Sequence, residues 1–232
     1  MNAPRTARER ARAELTREIV DAARRQLSDV GAAGLSLRAV SRELGMVSSA
    51  LHRYFPTRDD LLTALIIEGY RALGDAVEAA DEAIPRDDFP GRWRAATTAI
   101  RTWALARPHE YALIYGSPVP GYSAPADTIA EAGRTVGALA RIMGDAHAAG
   151  RLDVAPDPAG APLDGDTARV REALEVDLPD DAVLRGVTAW TAAFGHVSFE
   201  LFGQFENVID ERDALFASAV DRLGRLAGLA YP

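Results

Sequence analysis

The chain of 232 residues is 48% hydrophobic and 26% charged, with a formal net charge of -8, four histidines and no cysteine. That length points to one or two domains with a sizeable buried core, and the absence of cysteine excludes disulfide scaffolds, thiol nucleophiles and cysteine zinc sites. No run approaches the ~18 apolar residues of a membrane helix, and the stretch from Met1 to Arg12 lacks the apolar segment of a secretory signal, so a cytoplasmic protein is expected.

Helical periodicity dominates in chain order. Leu15, Ile19, Ala23, Leu27 and Val30 form one stripe, which stops at the glycines Gly31 and Gly34. Leu37, Val40 and Leu44 line a short second segment with Ser36 as its expected N-cap, and a third carries Leu51 and Phe55. After Pro56, Thr57 is placed to cap a long helix with Asp59 and Asp60 in its first turn, striped by Leu62, Ile66, Tyr70, Leu73 and Val77. The pattern resumes at Trp93, Thr97, Ile100 and Trp103 and breaks at Pro108. A short helix around Tyr111–Tyr115 precedes the Gly/Pro-rich loop 116–125, and Ile129, Val136 and Met143 mark a further long helix. Residues 151–180 read mostly as loop, with a helical turn near Val170–Leu174; the last two helices are expected over 181–205 and 210–229. The fold class is all-α, with about nine helices.

Residues 37–54 meet the demands of a helix-turn-helix. Buried positions hold Val40, Leu44, Met46, Leu51 and Tyr54; the helix crossing holds the small Ser41; the turn, which needs a positive φ, holds Gly45. The charge distribution agrees. Residues 1–60 carry eleven Arg against eight acidic residues, whereas 61–232 carry fifteen against twenty-six, a pattern of nucleic-acid contact confined to one end. The stretch from Ser36 to Leu62 resembles the DNA-binding signature of the TetR family of bacterial transcriptional regulators. Its Leu51-His52-Arg53-Tyr54-Phe55 stands where that family closes the recognition helix, and Thr57-Arg58-Asp59-Asp60-Leu61 where it opens helix four. His52 and Tyr54 are interchanged relative to the usual order, and Val47 fills a slot often held by Ser, so N-capping is expected to pass to Ser48. Trp190–Gly203 is weakly similar to TetR-like C-terminal domains with a tryptophan–histidine–glycine cluster.

A recognition helix enters the major groove N-terminus first, which sets Val47, Ser48, Ser49 and Arg53 nearest the base edges. The resemblance implies phosphate contacts by Ser36, Arg38, His52, Tyr54 and Arg58. It also implies a flexible N-terminal arm over 1–12, a DNA-binding domain over 13–58 and a C-terminal ligand-binding and dimerisation domain over 59–232. The arginines from Arg5 to Arg12 either track the DNA backbone or only solubilise the chain. One reading unit is too small for specific binding, so a homodimer on a palindromic double-stranded operator is expected. The seam Val183, Val187, Trp190, Phe194, Val197, Leu201 and Phe205 alternates four- and three-residue steps, and Phe216, Val220 and Leu223 join it from the last helix.

An effector cavity is implied by the family alone. Trp103, Tyr111, Tyr115, Tyr122, Met143 and His147 lie on the helices that flank it, suggesting a mainly apolar or aromatic small molecule with one or two polar groups. Enzymatic motifs are missing. His52, His109, His147 and His196 never fall at i,i+3 or i,i+4 spacing, and no Gly-rich phosphate loop follows a strand. No cofactor, metal or membrane partner is implied. The expected function is a ligand-responsive repressor; the alternative is an all-helical carrier of small molecules without DNA binding.

Overall fold

Ten helices follow one another along the chain in the computed structural model, which describes residues 6–155 and 163–231. They are α1 (Ala7–Gly34), α2 (Leu37–Glu43), α3 (Ser48–Leu51), α4 (Arg58–Glu82), α5 (Phe89–Ala106), α6 (Pro108–Tyr115), α7 (Thr128–Ala148), α8 (Asp164–Leu174), α9 (Asp180–Leu201) and α10 (Arg212–Leu226). Arg5 and residues 156–162, part of the expected arm and loop, lie outside the described residues.

Two elements differ from expectation. The arm is shorter, because α1 begins at Ala7: Thr6 Oγ1 accepts from Glu9 N at 3.2 Å and Glu9 Oε2 accepts from Thr6 N at 2.7 Å, a reciprocal capping box. The loop expected over 151–180 contains an eleven-residue helix, α8, ended by Glu175 in a left-handed conformation at φ 53°. The interruption expected at Gly31 is present, with φ 69° inside the span of α1.

Two compact units form. The first contains the chain up to Gly69 together with Arg107–Thr128; the second contains Tyr70–Ala106 and the chain from Ile129. The boundary expected after Arg58 therefore falls instead within α4. The reason is burial. Leu61, Leu62 and Leu65 on the first turns of α4 complete a core with Ile19, Val20, Ala23, Leu35, Val40 and Leu51. On α1, Arg24 reaches Glu110 of α6 at 3.1 Å and Glu68 of α4 at 2.9 Å, which binds α6 into this first unit.

In the second unit α10 packs on α9 and α5, and the fully buried indole of Trp93 donates to the carbonyl of Val220 at 3.1 Å. Arg92, on α5, is also fully buried. It pairs with Asp81 at 2.6 Å and with Asp145 at 2.8 Å, so one guanidinium joins α4, α5 and α7. A second such pair lies on α9, where Glu200 takes both ends of the Arg101 guanidinium at 2.6 and 2.7 Å. Among the described residues no helix is long and apolar enough to cross a membrane.

Candidate nucleic-acid interface and ligand cavity

The helix-turn-helix is built from α2, a tight turn and α3. Gly45 takes φ 63° in the turn, Met46 N donates to Ser41 O at 2.8 Å, and Gly45 N donates to Arg42 O at 3.2 Å. Ser41 is buried at the crossing and its hydroxyl donates to Arg38 O at 3.0 Å, so a larger side chain would push the helices apart. Ser36 occupies the N-cap of α2 without a side-chain capping bond; its backbone N–H is taken by Gln26 Oε1 at 2.8 Å. The N-cap of α3 is Val47, not Ser48, whose hydroxyl lies 3.4 Å from that of Ser41.

Val47, Ser48, Ser49, His52 and Arg53 are all exposed, Val47 to 70%, which is unusual for so apolar a side chain. Ser36, Arg38, Ser48, His52 and Arg58 line one surface depression together with Leu35 and Leu37. Four of the five expected phosphate contacts thus share a site with a residue of the recognition helix. Tyr54 lies outside it, half-buried, with the guanidinium of Arg12 4.9 Å above its ring. Arg12 belongs to the stretch read as an arm, yet α1 carries it to the recognition helix.

Two side chains have less freedom than expected. His52 Nδ1 lies 3.0 Å from the carbonyl of Pro56. A carbonyl only accepts, so Nδ1 holds the proton and Nε2 donates to a phosphate only when the ring carries a second one. Arg58 is turned inward: its Nη2 donates to Ala32 O at 2.7 Å and its Nε to Leu35 O at 3.1 Å. Those carbonyls end α1 and open the turn to α2, where the C-terminal end of a helix favours a cation. Arg58 therefore positions the helix-turn-helix against α4, and the reading of Arg58 as a free phosphate clamp is revised accordingly. Arg58→Ala should lower the melting temperature and weaken all DNA sequences alike without changing the salt slope. Arg38→Ala, on an exposed side chain, should leave stability intact and reduce the slope by about one. Thermal melts and salt-dependent mobility shifts of the two variants check this; equal slopes for both would overturn the distinction.

The second unit contains a cavity of about 230 Å³. Its wall is made by Trp93 on α5, by Val136, Leu139, Ala140 and Met143 on α7, and by Val170, Ala173 and Leu174 on α8. Val176 and Leu178 close the loop side, and Ala182, Val183, Gly186, Val187 and Trp190 of α9 complete it. A Cβ at Gly186 would sit 3.0 Å from Met143 Sδ, so the flexible thioether would have to shift to accommodate one. Thr167 Oγ1 donates to Asp180 at 2.5 Å, and Arg171 pairs with the same carboxylate, which holds α8 to the start of α9. These two contacts also hold the Asp180 carboxyl below its ordinary range.

Of the six residues expected to line a pocket, only Met143 does. Trp103 and Tyr111 are buried, and Tyr115 and Tyr122 belong with Tyr111 to the first unit. Tyr122 lies 2.9 Å from the Thr63 hydroxyl there, and His147 is half-buried on α7 outside the cavity wall.

The expected dimer seam is also distributed differently. Val183, Phe194, Val197, Phe216 and Val220 are buried within the protomer, Trp190 lines the cavity, and Leu201 and Leu223 are half-buried. His196 beside them packs its ring 5.2 Å from that of Phe216, and burial pushes its imidazole below the ordinary range. Val187 of the seam is exposed, and beside it α9 exposes Thr188, Thr191, Ala192 and Phe199, followed by Phe202 at its C-cap, with Phe199 56% and Phe202 48% accessible. On α10, Ala214, Ala217 and Ser218 are exposed as well.

Residues 19–65 match the family described as bacterial regulatory proteins, tetR family, and residues 93–223 match the tetracyclin repressor-like C-terminal domain. The HTH-type transcriptional regulator Rv1816 of Mycobacterium tuberculosis is 41% identical over 196 residues, 84% of each chain. The crystal structure of the protein SCO4313 is 34% identical and superposes with a TM-score of 0.78 over 95% of this chain and 98% of that one. RolR, crystallised with resorcinol, shares the fold at 14% identity and a TM-score of 0.54, over 97% of this chain and 98% of that one.

Proposed function

Because the chain belongs to the TetR family of bacterial transcriptional regulators, a non-enzymatic DNA-binding family, we propose that it is a cytoplasmic, homodimeric repressor of a palindromic operator, released by a small apolar effector. Regulators of this family bind DNA and typically dimerise and bind small-molecule effectors. The observation that carries the proposal is the grouping of Ser36, Arg38, Ser48, His52 and Arg58 in one depression, next to the exposed Val47, Ser49 and Arg53.

In this arrangement Arg38 and Ser36 hold phosphates, while Arg53, Ser48, Ser49 and Val47 meet base edges. Arginine reads guanine through two parallel hydrogen bonds, the serine hydroxyls donate or accept, and Val47 offers an apolar surface to a thymine methyl. Phosphate contacts set affinity for every sequence; base contacts set the preference among sequences. The effector occupies the cavity of the second unit. Helix α4 runs unbroken from Arg58, whose side chain holds the end of α1, to Asp81, which pairs with Arg92 of α5.

The test is a mobility shift with double-stranded DNA from upstream of the chain's own gene. The expected result is a specific complex that Arg53→Ala redirects toward other operator variants, with a discrimination change on the order of tenfold at one base pair. A chain that binds this DNA no better than unrelated DNA, and that Arg53→Ala leaves unchanged, would instead be an all-helical carrier of small molecules.

A further inference from the structure

Building on the effector reading, we infer that the cavity of the second unit accepts an uncharged hydrocarbon without hydrogen-bonding groups, larger than one aromatic ring and smaller than an ordinary drug-sized ligand. The lining carries the chemistry. Every side chain in the wall is aliphatic, a thioether or an indole, apart from the bare Gly186. The Trp93 indole N–H, the polar atom of one wall, is already engaged by the carbonyl of Val220 at 3.1 Å. Among the described residues no arginine, acid, histidine, hydroxyl or amide side chain lines the space. A carboxylate or ammonium group taken inside would lose its water with no charged partner in exchange. A hydrocarbon loses nothing.

Volume sets the size. A dry cavity of about 150 Å³ admits benzene, and drug-sized ligands occupy about 300–1,000 Å³. The value here, about 230 Å³, lies between the two and suits a pair of fused rings or a short branched chain. The wall is made partly of small residues, Ala140, Ala173, Ala182 and Gly186, which is how space remains open between helices that otherwise interdigitate. Trp93 and Trp190 add flat aromatic surfaces and also provide a signal for binding.

The experiment titrates the full-length protein with naphthalene and with naphthoate, following tryptophan fluorescence, in the presence and absence of operator DNA. Naphthalene should bind saturably and at least tenfold more tightly than naphthoate. Ala140→Leu, which fills part of the space, should weaken naphthalene at least tenfold. Val183→Thr, nearly the same shape but with a hydroxyl, should weaken it several-fold while the protein keeps its helical content. Naphthoate binding as tightly as naphthalene, or naphthalene binding unaffected by both variants, would overturn the inference. Control of DNA is read separately. Naphthalene that binds as predicted, but equally to free and DNA-bound protein, supports the chemistry assigned to the cavity and removes its effector role.

Discussion

Asp81→Asn should lower the melting temperature by on the order of 10 °C while leaving the helical content unchanged. The carboxylate of Asp81 accepts from Arg92 Nε at 2.6 Å and Nη2 at 3.2 Å, and from Arg86 at 3.1 Å. Arg92 is fully buried, so removing that charge leaves a guanidinium in the core with Asp145 as its remaining carboxylate. Breaking one partner of a buried pair costs about 3–5 kcal/mol, less where a second partner remains. For a chain of this size each kcal/mol moves the melting temperature by roughly 2–4 °C. The pH dependence has a definite sign. Burial alone would raise the Asp81 carboxyl, but the hydrogen bonds and charges of Arg92 and Arg86 outweigh it and hold it below the ordinary carboxylate range. A depressed folded-state value stabilises the protein above the unfolded-state value, near pH 4, and the contribution fades as pH falls through the folded one. The melting temperatures of the two proteins should therefore stay a fixed interval apart at neutral pH and converge in acid. An interval that widened in acid would mean that Asp81 does not stabilise the fold as a carboxylate.

The same contrast between what a side chain is and what surrounds it explains how far the sequence could be read. The helix-turn-helix was legible because its requirements are local: Gly45 must reach φ 63°, Ser41 must be small, and Val40 and Leu51, eleven residues apart, must both be buried. The start of α1 was not, since from Ala7 to Glu14 no apolar residue larger than alanine sets a period; the capping pair Thr6 and Glu9 was the available signal. Nor was α8, which has Thr167 buried and only Val170, Arg171 and Leu174 half-buried among its described side chains, too narrow an apolar strip to show against its Ala, Asp and Gly residues. The boundary inside α4 leaves no trace because one continuous stripe serves both units.

That the expected pocket residues other than Met143 lie outside this cavity has a related reason. Large aromatic side chains are the obvious candidates for ligand contact, but they are also what fills a core, and Tyr111 and Trp103 do so. A cavity is marked by missing volume, and Ala140, Ala182 and Gly186 carry no periodic signal that distinguishes a void from close packing. The seam on α9 shows the limit of periodicity most directly. Alternating steps of three and four identify a buried face without saying what buries it. Phe194 and Val197 turned out to face their own protomer, while Thr191, Ala192 and Phe199 on the neighbouring face remain exposed.

That redistribution changes which substitution tests assembly, and it leads to the largest expected loss of function. Phe194 is only 8% accessible, so Phe194→Glu would place a charge in the protomer's own core and unfold it whether or not the chain dimerises. Ala192→Glu and Phe199→Glu act on exposed positions, where a single protomer tolerates charge. Around them Thr188, Thr191 and the bare Gly195, whose missing Cβ would meet nothing within 4 Å, leave a smooth strip that lets a second copy approach closely. A two-fold pair would bring each new carboxylate against the same strip of the partner, so one substitution acts twice across the interface. Both variants should keep wild-type helicity and melting behaviour at high dilution. Sedimentation should give the 24.8 kDa protomer instead of twice that mass. Loss of the second half-site removes the advantage of specific over non-specific binding, typically 10³-fold or more, so operator affinity should fall at least ~10³-fold. Each isolated helix-turn-helix would retain the weak, salt-sensitive attraction of Arg38 and its neighbours to phosphates. Variants that sediment as dimers and retain the operator would move the interface away from this face of α9, and variants that become monomers with undiminished operator affinity would show that one protomer suffices to read the site.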